Sequence, residues 1–386
     1  MLKWINFLHL YQPVNSDAYK IEEALNLSYR RIFQALEDNR NIKFTVNISG
    51  GLISRLADLK EGRKLITKIN KLINRGQVEL VGSAAYHALL PLISEAEVID
   101  QIKEQELIIK KHFPQAKLKG FFLPEMAFSS KVAKIIKAQS YQWLILDEIS
   151  YAGKEKINYQ ETYLDSFSNL KIIFRSRRFS NSYIPETVES LLNNDMVLIT
   201  ASDGELYGLR HHDLNGSLER VLKNSKIETR LISDFIKNFK NPKKINLRSS
   251  NWESTIDQLK ARKPFYLWYN KDNEIQMKLW KLAQLSEKMI NKYPKDINHS
   301  WARWHFVRGL ASCTFWWASA YDFKHNFGPK AWSPDEIERG VDEFIRAIRS
   351  LENSTTLREK RSSEELLILI KRLVWLEHWI YQKKYE

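Results

Sequence analysis

Two short segments of this chain end an apolar run with an acidic residue in a tight turn. Gly120-Phe-Phe-Leu-Pro-Glu-Met-Ala-Phe-Ser presents Glu125, and Val197-Leu-Ile-Thr-Ala-Ser-Asp-Gly-Glu-Leu-Tyr-Gly presents Asp203 and Glu205. An acid at the C-terminal end of a buried strand adds little to stability, and in barrels and open α/β sheets that end is where active sites are built. Two carboxyl groups facing one cleft can cleave a glycosidic bond, one as proton donor and the other as nucleophile or base. Each also has a plainer use. Glu125 follows Pro124, which fixes the backbone, and could be a helix N-terminal acid with Ser129 and Ser130 as later caps. Asp203-Gly204 is a common turn pair. The turn reading weakens once Glu205 and Gly208 follow on the same strand end.

Other polar residues sit where the first strand and its neighbours end. His9 and Gln12 precede Pro13 and form a short polar edge suited to sugar hydroxyls. Glu79 lies within the apolar run Gln77-Val-Glu-Leu-Val, where a buried acid needs partners. Tyr86 and His87 follow Gly82, and a hydrogen-bonded loop serves them as well as substrate contact does. His211, His212 and Asp213 are the nearest thing to a metal cluster, but the set is not compact, and a polar loop is the preferred reading.

The elements that must carry these residues are legible from periodicity. Up to about residue 260, short apolar runs alternate with amphipathic stretches, the pattern of βα units around a parallel sheet. The strands are Trp4-Ile-Asn-Phe-Leu-His-Leu, Ile42-Lys-Phe-Thr-Val-Asn-Ile, Val78-Glu-Leu-Val, Leu118-Lys-Gly-Phe-Phe-Leu, Trp143-Leu-Ile-Leu, Leu170-Lys-Ile-Ile-Phe and Met196-Val-Leu-Ile-Thr. Helical patterns between them include Glu95 to Lys111 and Ser129 to Ala138. Seven such strands predict a closed or nearly closed β/α barrel over residues 1–265. After the Lys263-Pro264 break the pattern becomes helical: Asn273 to Asn291, Asn298 to Tyr321, Pro334 to Leu351 and Ser363 to Tyr381. Residues 266–386 are therefore expected to form a helical bundle that packs on the barrel.

Four of these strings, in this order, resemble glycoside hydrolase family 57. Phe7-Leu-His-Leu-Tyr-Gln-Pro is similar to that family's first motif, and Gly76-Gln-Val-Glu-Leu-Val-Gly with Tyr86-His87 to its second. Gly120-Phe-Phe-Leu-Pro-Glu-Met-Ala-Phe resembles the third, and Ser202-Asp-Gly-Glu-Leu-Tyr-Gly the fourth. The resemblance implies a distorted (β/α)7 barrel with a C-terminal helical bundle, a retaining enzyme of α-glucans or maltooligosaccharides, and no metal or other cofactor. It also implies Glu125 as nucleophile and Asp203 as general acid/base, with His9, Gln12, Glu79, His87, Glu205, His211, Trp252 and Trp316 as substrate contacts. Asp203 must then hold a proton in the first step, and burial with acidic neighbours is expected to favour this. His9, if charged, would keep Glu125 ionised. One departure is Tyr11, which stands where the family's first motif usually has a second histidine. Arg248-Ser-Ser-Asn-Trp-Glu is a loose candidate for the fifth motif, with Trp252 as a substrate platform. Of Trp301, Trp304, Trp316 and Trp317, any single one is expected in the core. Rival readings are a branching enzyme of the same family, an inactive carbohydrate-binding relative, and a metal-dependent deacetylase or α-mannosidase barrel.

Composition sets the outer bounds. The 386 residues carry a formal net charge of +14, yet the basic residues are interspersed with acids and accompany no nucleic-acid motif, so no nucleic-acid partner is expected. The single cysteine, Cys313, excludes an intramolecular disulfide and a four-cysteine metal site. No run reaches the roughly 18 apolar residues of a membrane helix, and the N-terminal stretch lacks a signal-peptide cleavage pattern. These features lead to the expectation of a cytoplasmic protein with no membrane partner.

Overall fold

A computed structural model describes residues 1–320, 329–353 and 357–382. Among them are ten strands: β1 (Leu2–Leu10), β2 (Phe44–Ile48), β3 (Val78–Leu80), β4 (Gly120–Phe121), β5 (Trp143–Asp147), β6 (Tyr163–Asp165), β7 (Lys171–Arg175), β8 (Val197–Asp203), β9 (Ile227–Thr229) and β10 (Lys243–Ile245). The seven expected strands form a ring. β1 pairs in parallel with β8, from Lys3↔Val197 to His9↔Asp203, and with β2, from Phe7↔Thr45 to Leu10↔Ile48. β3 continues from β2. Gly82 carries the ladder to β4, donating to the Gly120 carbonyl (2.9 Å) and accepting from Phe122 N (2.9 Å). β5 and β7 follow in parallel, and Ser176 N donates to Ile199 O (2.9 Å) to bring β7 back beside β8. The remaining strands lie outside the ring: β6 is antiparallel to β7, β10 pairs with β6, and β9 pairs with the start of β1.

The ring strands are apolar on both faces because both are covered. Alternation sorts the side chains. On β1, Trp4 and Leu8 join the outer core with Phe33, Phe44 and Leu36. Ile5 and Phe7 join an inner core with Val81, Phe122, Ile145, Ile173, Ile199 and Ala201. The outer helices supply single apolar stripes, as in Lys60–Asn74, which buries Leu65, Ile66, Ile69 and Leu72.

The chain divides into two compact units, Met1–Ala85 with Leu90–Trp252, and Tyr86–Leu89 with Glu253–Glu386. The second is helical, built on Glu274–Lys292, His299–Gly309, Pro334–Ser350 and Leu357–Gln382. The helix expected over Asn298 to Tyr321 is broken. It ends at Gly309, Ala311 is extended (ψ 132°), and a short helix resumes at Ser312–Trp316; Tyr321 lies outside the described residues. Trp301 and Trp304 are not core: they stack on each other at 4.7 Å and are 54% and 38% exposed. The buried stripe of that helix is Ala302, His305, Phe306 and Gly309, which turns both indoles outward. Among the described residues no helix is long and apolar enough to cross a membrane.

Candidate active site

The inner rows of the barrel end in polar residues. Two positions beyond Phe7 is His9, beyond Ile145 is Asp147, beyond Ile173 is Arg175, and beyond Ala201 is Asp203. Period two therefore points four polar side chains into the barrel mouth at the C-terminal strand ends.

Glu125 reaches the site from the turn after β4. It has φ 60° and ψ 15°, and Met126 follows with φ 49°, so two successive non-glycine residues are left-handed. Such residues cost about 1–3 kcal/mol each and persist where their surroundings over-determine them. Met126 N donates to Leu123 O (2.7 Å) and Ala127 N to Pro124 O (3.0 Å). The strand-like segment ending at Trp252 runs alongside, with Phe128 N donating to Ser250 O (2.8 Å) and Trp252 N to Glu125 O (3.1 Å). The Trp252 indole N–H then donates to Glu125 Oε2 at 3.0 Å.

Asp203 closes β8 opposite His9. Its Oδ2 accepts from Arg210 Nη1 at 2.7 Å, and its side chain is 23% exposed. Asp203 has the expected acidic neighbour in Glu205, and a guanidinium partner that was not expected. Glu205 is fully buried. That carboxyl accepts from Tyr11 N (3.1 Å) and from the Tyr29 hydroxyl, and burial pushes its pKa up to about 7, with Arg210 and Tyr29 opposing and Asp203 assisting. A π-helical turn at Leu25–Tyr29 aims these partners: Ser28 Oγ donates to Gly204 O (2.5 Å), one residue before Glu205. Gly208 is required beneath that turn, since its φ is 135° and a Cβ would overlap the Leu27 carbonyl oxygen.

His9 Nδ1 lies 2.8 Å from Asn47 Oδ1, and its ring stacks on Phe122 at 4.5 Å. Burial lowers its pKa to about 4 although the Asp203 charge opposes this. His9 is therefore neutral near pH 7, so the condition for its lending Glu125 a positive charge is not met. Its ring meets the Trp252 ring edge-on at 6.2 Å, so Glu125, Trp252, His9 and Asp203 form one connected set. Tyr11, the departure in the first motif, stacks on His9 at 5.8 Å.

The other predicted residues fall in several places. Gln12 hydrogen-bonds the Tyr29 hydroxyl. Glu79 accepts from Thr45 Oγ1 and Ser233 N (both 3.1 Å), not from either proposed catalytic residue, and burial raises its pKa. His211 stacks on Tyr183 at 4.0 Å. Asp213 is committed to Arg31 (2.7 Å) and Tyr183 (2.8 Å), which makes the His211-His212-Asp213 stretch a pinned loop. Among the described residues no group of three or more His, Cys, Asp or Glu side chains is placed to hold a metal ion. His87 and Trp316 belong to the helical unit. There His87 Nδ1 is 2.9 Å from Ser312 Oγ, and the Trp316 indole donates to Pro329 O (2.7 Å). Residues that sequence reasoning did not single out are Tyr29, Asn47, Asp147, Arg175, Arg177 and Arg210. Asp147 binds Arg175 Nε at 2.7 Å and Arg177 Nε at 3.3 Å, and Arg177 donates to the Trp252 carbonyl.

The sequence profile of glycosyl hydrolase family 57 matches residues 2–248, and the chain belongs to that family. It is 27% identical over 324 residues to an α-amylase of Pyrococcus horikoshii, covering 75% of this chain and 50% of that one. It is 23% identical over 325 residues to a 4-α-glucanotransferase of Thermococcus kodakarensis, covering 77% and 49%. The chain thus spans about half the length of these curated relatives. Its fold is similar to that of a family 57 branching enzyme from Pyrococcus horikoshii, with TM-score 0.73, 15% identity, and 96% and 95% of the two chains covered. It is also similar to the 4-α-glucanotransferase of Thermococcus litoralis, with TM-score 0.72, 19% identity, and 91% and 60% covered. The fold is accordingly the (β/α)7 barrel with a C-terminal helical bundle.

Proposed function

We propose that this chain is a retaining enzyme of α-glucans, of the α-amylase or 4-α-glucanotransferase type. The observation that carries the reading is the joint placement of Glu125, after β4, and Asp203, closing β8, around Trp252 and His9 in one barrel mouth. The relatives named for α-amylase and 4-α-glucanotransferase activity support the substrate class. Glu125 attacks the anomeric carbon, the glycosidic C–O bond breaks, and Asp203 in its acid form protonates the departing oxygen. The Asp203 carboxylate then takes a proton from water, or from a sugar hydroxyl, as that oxygen attacks the glycosyl-enzyme and frees Glu125. Neutral His9 and the amide of Gln12 are suited to binding hydroxyls beside this centre.

The test is a product profile from maltooligosaccharides and amylose, with Glu125→Ala as control. Shorter sugars alone mean hydrolysis, longer and shorter ones together mean transfer, and new branch points mean branching. The Glu125→Ala variant is expected to lose turnover and to recover part of it with azide on an activated substrate. No turnover of any α-glucan, or full turnover by Glu125→Ala, refutes the reading.

A further inference from the structure

Trp252 holds Glu125 at two points, its backbone N–H on the carbonyl (3.1 Å) and its indole N–H on the carboxyl (3.0 Å). A left-handed glutamate needs such a hold, since its backbone would otherwise relax and swing the carboxyl away. Trp252 is in turn fixed by residues at the end of β7. The Arg175 guanidinium lies over the indole, 5.2 Å from the ring centre, and Arg177 donates to the Trp252 carbonyl. Both arginines end on one buried carboxylate, Asp147. Arg175 also donates to Ala201 O (2.9 Å), tying the assembly to β8 two residues before Asp203. A cation over an indole face draws electron density from the ring, which makes its N–H a stronger donor to the carboxylate.

We propose that Trp252 is a positioning residue for Glu125, and that Asp147, through Arg175 and Arg177, sets the place and donor strength of its indole. The inference rests on the reading of Glu125 as nucleophile and assigns to the β5 and β7 strand ends a part in the glycosylation step. It also changes the role of Trp252 from sugar platform to support. A hydrogen bond from the indole favours the ionised, attacking form of Glu125. Losing it slows formation of the glycosyl-enzyme and moves the acidic limb of the rate profile to higher pH.

The experiment measures the rate at which a 5-fluoro-α-maltosyl fluoride labels the enzyme between pH 4 and 8, with the labelled residue mapped by peptide mass spectrometry. Wild type is compared with Trp252→Phe and with a protein carrying 3-benzothienylalanine at 252, which keeps the bicyclic ring and lacks only the N–H. Both replacements are expected to slow labelling roughly 10- to 100-fold, the range for a lost hydrogen bond to a charged group. The acidic limb is expected to rise by about one pH unit. Arg175→Lys, which lacks the planar guanidinium, is expected to move both readouts the same way by less. A label on Glu125 whose rate and pH limb are unchanged in the benzothienyl protein overturns this proposal and leaves the nucleophile assignment standing. A label on another carboxylate overturns the assignment and the proposal together. If Trp252→Phe does not fold, the benzothienyl protein decides alone.

Discussion

Glu205 and His9 are buried groups whose displaced pKa values oppose each other, and replacing one is expected to expose the other. Burial raises Glu205 from its ordinary 4.5 to about 7. Its stabilising contribution is complete below pH 4.5 and is lost as pH rises through 7. Burial lowers His9 from 6.5 to about 4. The unfolded chain therefore takes up the proton first, and the His9 contribution is complete above pH 6.5 and lost as pH falls through 4. At about 1.4 kcal/mol per pH unit, each displacement corresponds to roughly 3 kcal/mol. Between pH 4.5 and 6.5 the two slopes nearly cancel in the wild type. Glu205→Gln removes the falling slope, so the variant gains roughly 3 kcal/mol relative to wild type as pH rises from 4.5 to 7. His9→Asn gives the opposite tilt, and the double variant restores a curve parallel to wild type between pH 4.5 and 6.5. Scanning calorimetry at half-unit steps reads each tilt as a melting-temperature displacement of roughly 6–12 °C for a unit of this size. The constant cost of substitution cancels, because only the slope against pH is compared. Parallel curves for wild type and Glu205→Gln from pH 4.5 to 7.5 refute the reasoning.

Two further outcomes follow from the same loop. Tyr29→Phe removes a donor that favours the ionised form of Glu205, so it is expected to destabilise the protein by about 1–3 kcal/mol at pH 8 and by less at pH 5, measured by the same melts. Gly208→Ala places a Cβ against the Leu27 carbonyl oxygen at φ 135°; a loss of roughly 2–4 kcal/mol in stability, with turnover falling as the Asp203 loop shifts, is the expected result in melting and rate assays.

The ring was legible because its strands are near-continuous apolar runs, a pattern imposed by burial on both faces. β10, Lys243-Lys-Ile, and the three-residue β6 and β9 carry no such pattern, since they lie outside the ring and each commits one apolar side chain, Ile245, Tyr163 or Ile227, to the core. Nothing in the sequence marks the π-helical turn at Leu25–Tyr29. Its apolar spacing continues that of the flanking helices, and the extra residue per turn is fixed by contact with the Gly204–Gly208 loop.

The site divides in the same way. Glu125 and Asp203 stood out because proline and glycine mark their turns. Asp147 and Arg175 end strands with the same alternation, Ile145 to Asp147 and Ile173 to Arg175, and the period-two rule alone would have placed them in the mouth. They were passed over because a paired acid and base at two strand ends resembles ordinary surface charge until the pairing of β5 with β7 sets them side by side. The proton distribution was beyond sequence. Nearness in the chain suggested that Glu205 would act on Asp203, and their charges do interact; not foreseen were the hydroxyl partner of Glu205, from a residue 176 positions away, and the pairing of Asp203 with Arg210. Burial and a long-range partner set the protonation of Glu205. Both are properties of the folded chain, so candidate acids could be listed from the sequence while the burial that raises Glu205 had to wait for the fold.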